Sequence, residues 1–385
     1  MPDALHFTRL KLTNWRNFRT VDVALDMRAF FVGPNASGKS NLLDSIRFLS
    51  ELARPGSGGL RAAVEGRGGF SALRCLQART IPYVEIEATM GFAGENDRWR
   101  YRLRINVLKT EKYPTVVSED VWYQGKSIFS RQRDQSSDAL EFSQTVLEQV
   151  AANREFRAVT DFFASCRYLH VVPQIVRDRA RARSEGEDPY GGDLLRRMKE
   201  VNKKTRLSRL RRIAQALKIA VPQFGDIALE DDSEGVPHLF ASYVHWRPNA
   251  YKQSETAFSD GTLRLVGLLW SIAEKGGPLL LEEPELSLND SVVAELPRMF
   301  SKMQSVSARQ IITTTHSTAL LDDPAIGLRE VHRIEVDGNG SHVVTLADDP
   351  SVKAQVEGGM TISQAVLPLL RPKEIDKLGK INVAD

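Results

Sequence analysis

The first 32 residues alternate apolar and polar positions with the period of two that turns one face of a strand into a core. Three strands follow from that alternation: His6–Leu12, Val21–Leu25 and Arg28–Val32. The rhythm then changes. Leu42, Leu43, Ile46, Leu49 and Leu52 recur at the spacing of one helical face, so Ser40–Ala53 is expected to be a helix, and Arg54-Pro-Gly-Ser-Gly-Gly59 stops it. Alternation returns over Tyr83–Phe92, Trp99–Val107 and Val116–Tyr123, as an antiparallel meander would show. Residues from about 139 to 218 read as helical, with a polar break at Ser184–Gly192, and Pro222 closes the block. Strand-like stretches come back at Ile227–Leu229 and Leu239–Trp246. From Gly261 the order is helix, strand (Pro278–Leu281), helix (Asp290–Met303) and strand (Gln310–Thr314). Arg329–Val336 and His342–Leu346 make a terminal hairpin whose turn, Asp337-Gly-Asn-Gly, is a strong hairpin signal. There is no internal repeat and no sustained heptad, so a long coiled-coil arm is not expected.

The alternation of strands and helices gives an α/β chain, and composition narrows its setting. The apolar share is 42% and the charged share 26%, which fits a soluble globular protein of one large or two ordinary domains. Val266–Ala273 is among the longest apolar runs and is far short of the roughly 18–20 residues that span a bilayer. The N-terminus carries neither a basic nor an apolar signal segment. Cys75 and Cys166 lie far apart, so neither a disulfide framework nor a zinc site is supported and both read as thiols of a reducing compartment. A cytoplasmic protein with no membrane partner is the expectation. Net charge is only +3, which says little by itself. Its distribution says more: Arg177, Arg179, Arg181, Arg183, Arg196, Arg197, Lys199, Lys203, Lys204, Arg206, Arg209, Arg211, Arg212 and Lys218 heavily outnumber the acids between them.

The candidate chemistry begins at the glycine-rich loop. Gly33, Pro34, Asn35, Ala36, Ser37, Gly38, Lys39 and Ser40 fit G-x-x-x-x-G-K-[ST], with a strand (Ala29–Val32) entering and a helix leaving. Glycines let backbone N–H groups turn toward phosphates, and the following helix aims its positive dipole end at them. Lys39 would reach the outer phosphates of a bound ATP and Ser40 would ligate Mg²⁺; Asn41 extends the ATP-binding set. An NTPase also needs a carboxylate for the metal and a group for water. Leu279-Leu-Leu-Glu-Glu-Pro-Glu285 ends an apolar strand in adjacent acids, which is costly unless they face a cation. Glu282 is read as holding the Mg²⁺ shell and Glu283 as orienting or deprotonating the attacking water. Downstream, Gln310–Thr314 delivers His316, placed for a γ-phosphate contact. Ser259, Asp260, Gly261 and Thr262 open a helix; this is a cap in any protein, or an anion site at a helix N-terminus.

Taken in order, these motifs resemble the ABC-type ATPase set. Gly33–Ser40 is similar to Walker A, Ser259–Thr262 to the signature motif, Leu279–Glu283 to Walker B, Ser287-Leu-Asn289 to the D-loop and His316 to the switch histidine. Ser-Asp-Gly-Thr and Glu-Glu-Pro-Glu, with Leu10-Lys-Leu-Thr-Asn-Trp-Arg-Asn-Phe18 and Ser40-Asn-Leu-Leu-Asp-Ser-Ile46, are similar to the SMC/RecF/OLD branch in particular. The resemblance implies an ABC-ATPase head: a P-loop sheet with an antiparallel β meander and a helical insertion. Its parts would be residues 1–130 and 223–385 for the core and 131–222 for a basic helical insertion. It also implies a composite site, in which two heads meet head to tail and each signature caps the γ-phosphate held by the other, so that ATP drives homodimerisation or a higher assembly. Asn289 stands where the family often has aspartate or histidine. Gln174 is the candidate Q-loop glutamine and metal contact, or a plain surface residue. Arg61 sits at roughly the spacing of the SMC arginine loop, or is a simple surface arginine.

The basic block either reads a phosphate backbone, docks a protein, or is a solvated surface. Lys199, Lys203, Lys204, Arg206, Arg209, Arg211 and Arg212 do not fall on one helical stripe, which argues against a single groove-reading face. Aromatic residues for base stacking are sparse. The leading expectation is an ATPase of DNA repair or genome maintenance, or of phage defence. The other is a slow, nucleotide-gated scaffold that assembles a separately encoded effector. A transporter cassette is disfavoured by the span of about 220 residues from Ser40 to Ser259. After His316 two strands and a tail are expected, with Asp348-Asp349 as a turn and no nuclease domain in this chain.

Overall fold

The computed structural model describes residues 4–78, 80–107, 112–134, 136–138, 140–182, 186–244, 252–371 and 374–381. Arg183, Ser184 and the end of the expected strand at Trp246 lie outside them.

Three strands open the chain as the alternation predicts: β1 (His6–Trp15), β2 (Phe18–Ala24) and β3 (Arg28–Val32). The meander follows as β4 (Val84–Phe92), β5 (Glu95–Asn106) and β6 (Thr115–Tyr123), and a further strand, β7 (Lys126–Gln132), extends it. Sequence pattern missed β7 because it is a half-exposed edge strand with no buried apolar face. β8 (Arg167–Leu169) precedes a separate three-stranded sheet of β9 (Phe224–Asp231), β10 (Pro237–Tyr243) and β11 (Lys252–Ser254). The last four strands are β12 (Leu279–Glu282), β13 (Ile311–Thr315), β14 (Val331–Asp337) and β15 (Gly340–Thr345).

Twelve of these form one sheet in the order β7-β6-β5-β4-β1-β2-β15-β14-β3-β13-β12-β8. One half is the antiparallel meander. In the other half β14, β3, β13, β12 and β8 run parallel, so their carboxyl ends share one edge. Such strands are covered on both faces and read as unbroken apolar runs. Phe31, Leu280 and Ile312 face one core, with Leu42, Leu43 and Ile46 of the helix Lys39–Ala53. Phe30, Val32, Leu279, Leu281 and Ile311 face the other, with Leu263, Val266 and Trp270 of the helix Asp260–Ala273. Arg309, at the entrance to β13, donates to the carbonyls of Ser271 and Glu274 at the end of that second helix. It thereby satisfies the terminal acceptors that a helix leaves open.

The stretch 131–222, expected as a helical insertion, is more varied than its pattern. Its longer helices are Arg157–Ser165, Leu194–Glu200 and Lys203–Ala220, and between the first two it places β8 against β12 within the main sheet. Three residues are too few to show a period, so nothing in the pattern separated this strand from its helical neighbours. The expected helix Asp290–Met303 is broken into Asp290–Val293 and Leu296–Ser307, where Pro297 suits a helix start. The tail folds into helices Pro350–Glu357 and Ile362–Leu370, and Asp349 caps the first of them. Among the described residues no helix is long and apolar enough to cross a membrane.

Candidate nucleotide site

The parallel strands bring the sequence-predicted groups to one edge. β3 runs into Gly33–Ser40, which turns sharply at Ala36 (φ 62°) and Gly38 (φ 104°). Gly38 must be glycine for a second reason: a side chain there would collide with the amide of Asn17. That amide donates to the carbonyl of Ser37 at 2.7 Å and to Ser341 Oγ at 2.6 Å, while its oxygen accepts from Asn41 at 2.8 Å. The carbonyl of Asn41 accepts from the indole of Trp15 at 2.7 Å. Asn41, expected among the ATP contacts, is thus engaged in bracing the loop.

Lys39 is buried, and its Nζ donates to the carbonyls of Gly33 (3.1 Å) and Pro34 (3.3 Å). Burial draws the ammonium below its ordinary range, against the pull of Glu283, Glu282 and Glu285. Ser40, exposed at the start of its helix, donates from Oγ to Glu282 Oε1, and the hydroxyl of Tyr168 donates to Glu282 Oε2. Burial pushes the Glu282 carboxyl up; the Ser40 hydrogen bond opposes this and neighbouring Glu283 reinforces it. A half-buried carboxyl with an acidic neighbour and a serine hydroxyl on its oxygen is what a hard divalent cation would neutralise. Among the described residues no cluster of three or more His, Cys, Asp or Glu could hold a metal by itself. A magnesium site leaning on one hydroxyl, one carboxylate and the nucleotide's phosphates needs none.

Glu283 follows in a left-handed conformation, φ 44°, and its N–H donates to the Thr314 carbonyl at 3.1 Å. The turn sends its side chain to His316, whose Nε2 lies 3.2 Å from Glu283 Oε1. That hydrogen bond holds the Glu283 carboxyl below its usual range despite burial, so it is ionised at neutral pH. Glu285, quoted only as part of a motif, anchors the opposite side of His316. Its Oε1 accepts from Thr315 Oγ1 (2.7 Å) and from the His316 N–H (2.8 Å).

Sequence reasoning missed three more neighbours. Tyr168 and His170 ride on or just past β8; the ring of His170 lies 3.3 Å from the Glu282 carbonyl, and burial lowers its pKa. Arg264, one turn into the helix Asp260–Ala273, lies in the field of Asp260 and Glu283 and is drawn down by burial. A polar cleft of about 700 Å³ opens beside Tyr168, but its arginines are committed: Arg16 and Arg67 both bind Asp44. Asn17 alone carried a usable signal, since it belongs to the Leu10–Phe18 motif.

The signature residues stand apart from this group. Ser259 Oγ accepts from the Thr262 N–H at 3.2 Å and lies 2.8 Å from Thr262 Oγ1, capping its own helix. Gly261 abuts the Ser287 carbonyl so closely that a side chain would clash. Arg177 donates to Asp260 at 2.8 Å, and the Gln174 amide donates to the same carboxylate at 3.3 Å. Gln174, expected at the metal, is therefore placed on the signature instead. Asn289 caps the helix after it by accepting from Ser291 at 2.9 Å. Arg61 is exposed, paired with Glu65 at 3.0 Å and laid over the ring of Tyr113, which is the surface reading.

Comparison with known proteins agrees with this arrangement. Residues 28–322 match the family model described as "AAA domain, putative AbiEii toxin, Type IV TA system". The DNA replication and repair protein RecF of Rhizobium etli (strain CIAT 652) is 37% identical over 113 residues, and that of Brucella abortus (strain 2308) is 36% identical over 112. These matches cover 28% and 27% of this chain and the same shares of the relatives, so the chain spans under a third of their length. An SMC head bound to the C-winged helix domain of ScpA superposes with a TM-score of 0.56 at 16% identity, over 88% of this chain and 97% of that one. An SMC head with a coiled coil and joint from Pyrococcus yayanosii gives 0.53 at 13%, over 93% and 100%. The chain has the fold of an SMC head and belongs to this AAA-domain family as an ABC-type ATPase of the SMC/RecF-like kind.

Proposed function

We propose that this protein binds ATP with Mg²⁺ and hydrolyses it, and that two copies complete each other's sites head to tail. One observation carries the reading: Lys39, Ser40, Glu282, Glu283 and His316 converge from three parallel strand ends, with Ser40 on Glu282 and His316 on Glu283. Gly33–Ser40 would cradle the phosphates, with Lys39 against the outer two. Ser40 and Glu282 would hold Mg²⁺, which screens charge on the phosphates when bound. Glu283, kept ionised by His316, accepts a proton from the attacking water, and Glu285 fixes His316 through its backbone. Ser259 and Thr262 satisfy each other within their own head, and the intrachain contacts of Asp260 lead to Gln174 and Arg177 rather than to the P-loop. That arrangement supports a signature presented to a second copy. The partial likeness to RecF supports DNA as the object of this cycle, in repair or in defence against phage.

Mass in solution tests the pairing. With ATP and Mg²⁺, Glu283→Gln should become a stable dimer, and adding Ser259→Arg should return it to monomer while nucleotide still binds. A mass indifferent to ATP would overturn the head-to-tail arrangement. Full assembly of a partner by Glu283→Gln would favour the scaffold over a turnover-driven machine.

A further inference from the structure

The stretch 201–225 contains seven lysines and arginines and not one aspartate or glutamate. Most of it is the helix Lys203–Ala220, which spans about 27 Å at the usual rise of ~1.5 Å per residue. The seven cations divide by direction. Arg206 turns back to the Lys199 carbonyl at 2.8 Å, and Arg209 lies over the ring of Trp270, 5.3 Å from its centre, pinning the helix to the core. Lys218 pairs with Asp226 at 3.1 Å. Lys203 is exposed at the first position of the helix, on the line of Leu210 and Leu217. Lys204, Arg211 and Arg212 are exposed on the side turned away from buried Leu210, Ile213 and Leu217, and among the described residues none of the three has an ion-pair partner. They stand out once the others are set aside: Lys199 belongs to the preceding helix, and Arg206 and Arg209 are otherwise engaged.

We infer that this outer face, through Lys204, Arg211 and Arg212, is a docking surface for the phosphate backbone of duplex DNA. The inference rests on the proposal that the ATPase acts on DNA. Three unpaired cations on one face of a helix repel one another unless an anion lies across them, and a polyanion neutralises them together. The face has no aromatic residue on which an unpaired base could stack, which favours a duplex over a single strand. Its two exposed apolar side chains, Leu207 and Ile219, stand three turns apart and make no continuous patch for a protein partner.

Fluorescence anisotropy of a labelled 30-base-pair duplex over a NaCl series tests this with the full chain. Each phosphate neutralised contributes about 0.9 to the slope of log K against log salt, so replacing all three residues by alanine should reduce that slope by about 2–3. Affinity should fall by a similar factor for unrelated duplex sequences, with ATP binding and the melting temperature unchanged, as expected of exposed positions. If the wild type binds the duplex and the triple variant keeps the same slope, the face is overturned as the docking site and belongs to another acidic partner, while DNA as a ligand stands. If the wild type does not bind DNA at 50 mM salt with or without ATP, the docking surface and the DNA reading both fall.

Discussion

The carboxyl edge of the parallel strands and the N-terminus of the helix Asp260–Ala273 are the two parts of the proposed ATPase site, and they are built differently. At the strand edge each candidate side chain is held by groups of the same chain: Lys39 by the loop carbonyls, Glu282 by Ser40 and Tyr168, and His316 by Glu283 and Glu285. At the helix end the residues hold themselves, Ser259 on Thr262, and the surrounding bonds of Asp260 lead to Gln174 and Arg177. The first region is braced by bonds within the chain itself. The second is a shaped end without an internal counterpart, and its use depends on what meets it.

The sharpest test of that contrast is complementation. Lys39→Ala should lower ATP turnover by about 10³-fold or more, since a buried charge aimed at the phosphates is lost. Ser259→Arg should lower turnover comparably while leaving ATP affinity within a few-fold. Mixed together, the two inactive variants should regain measurable turnover, because one intact site forms from the Lys39 of one copy and the Ser259 of the other. A mixture as inactive as its parts would place both regions in the same head's site.

A second test probes how firmly the strand edge is set into its core. His332 on β14 is buried against the Phe31 ring at 4.8 Å, and among the described residues its Nε2 has no hydrogen-bond partner. Burial lowers its pKa to about 4. The unfolded chain, near 6.5, takes up the proton first, so the stability from the neutral ring is complete above about pH 6.5 and is lost as pH falls toward 4. The shift corresponds to roughly 3 kcal/mol across that window. Denaturant unfolding from pH 7 to pH 4 should show this loss in the wild type and a shallower one in His332→Gln; parallel curves would remove His332 as the cause.

The smallest effect sharpens the comparison most locally. Asn17→Ala removes the brace on Ser37, Ser341 and Asn41 and should cost about 1–3 kcal/mol in unfolding. ATP affinity should fall with it, by several-fold, while the ATP-free mass stays unchanged. Unaltered affinity in calorimetry would mean that the loop keeps its shape unaided.

Much of the strand edge was legible in advance because chemistry there dictates residue type as well as position. A loop that approaches phosphates needs glycines, and a buried strand that ends in acids needs a cation, so Gly33–Ser40 and Glu282–Glu283 could be read from spacing alone. Tyr168 could not. It sits on a three-residue strand, and only pairing with β12 brings it to Glu282 across 114 residues of sequence. Gln174 shows the converse: a candidate for the metal contact in the sequence, it gives its amide to Asp260 in the fold. The basic block illustrates a third reason. Taken together its cations spread round the helix, and only the fold shows that Lys199 lies on another helix and that Arg209 faces Trp270.

The placement of β3 has a consequence for how the protein is made. Both of its neighbours, β13 and β14, come from beyond residue 310. At about 5–20 residues per second, a ribosome needs on the order of 15–60 s after finishing β3 to supply the strands that flank it. Throughout that interval Phe30, Phe31 and Val32 emerge with no sheet to enter, and the loop that follows them has no fixed shape. The proposed nucleotide loop therefore gains its setting only after β14 has been made, and a nascent chain stalled before β13 would present this apolar segment to chaperones.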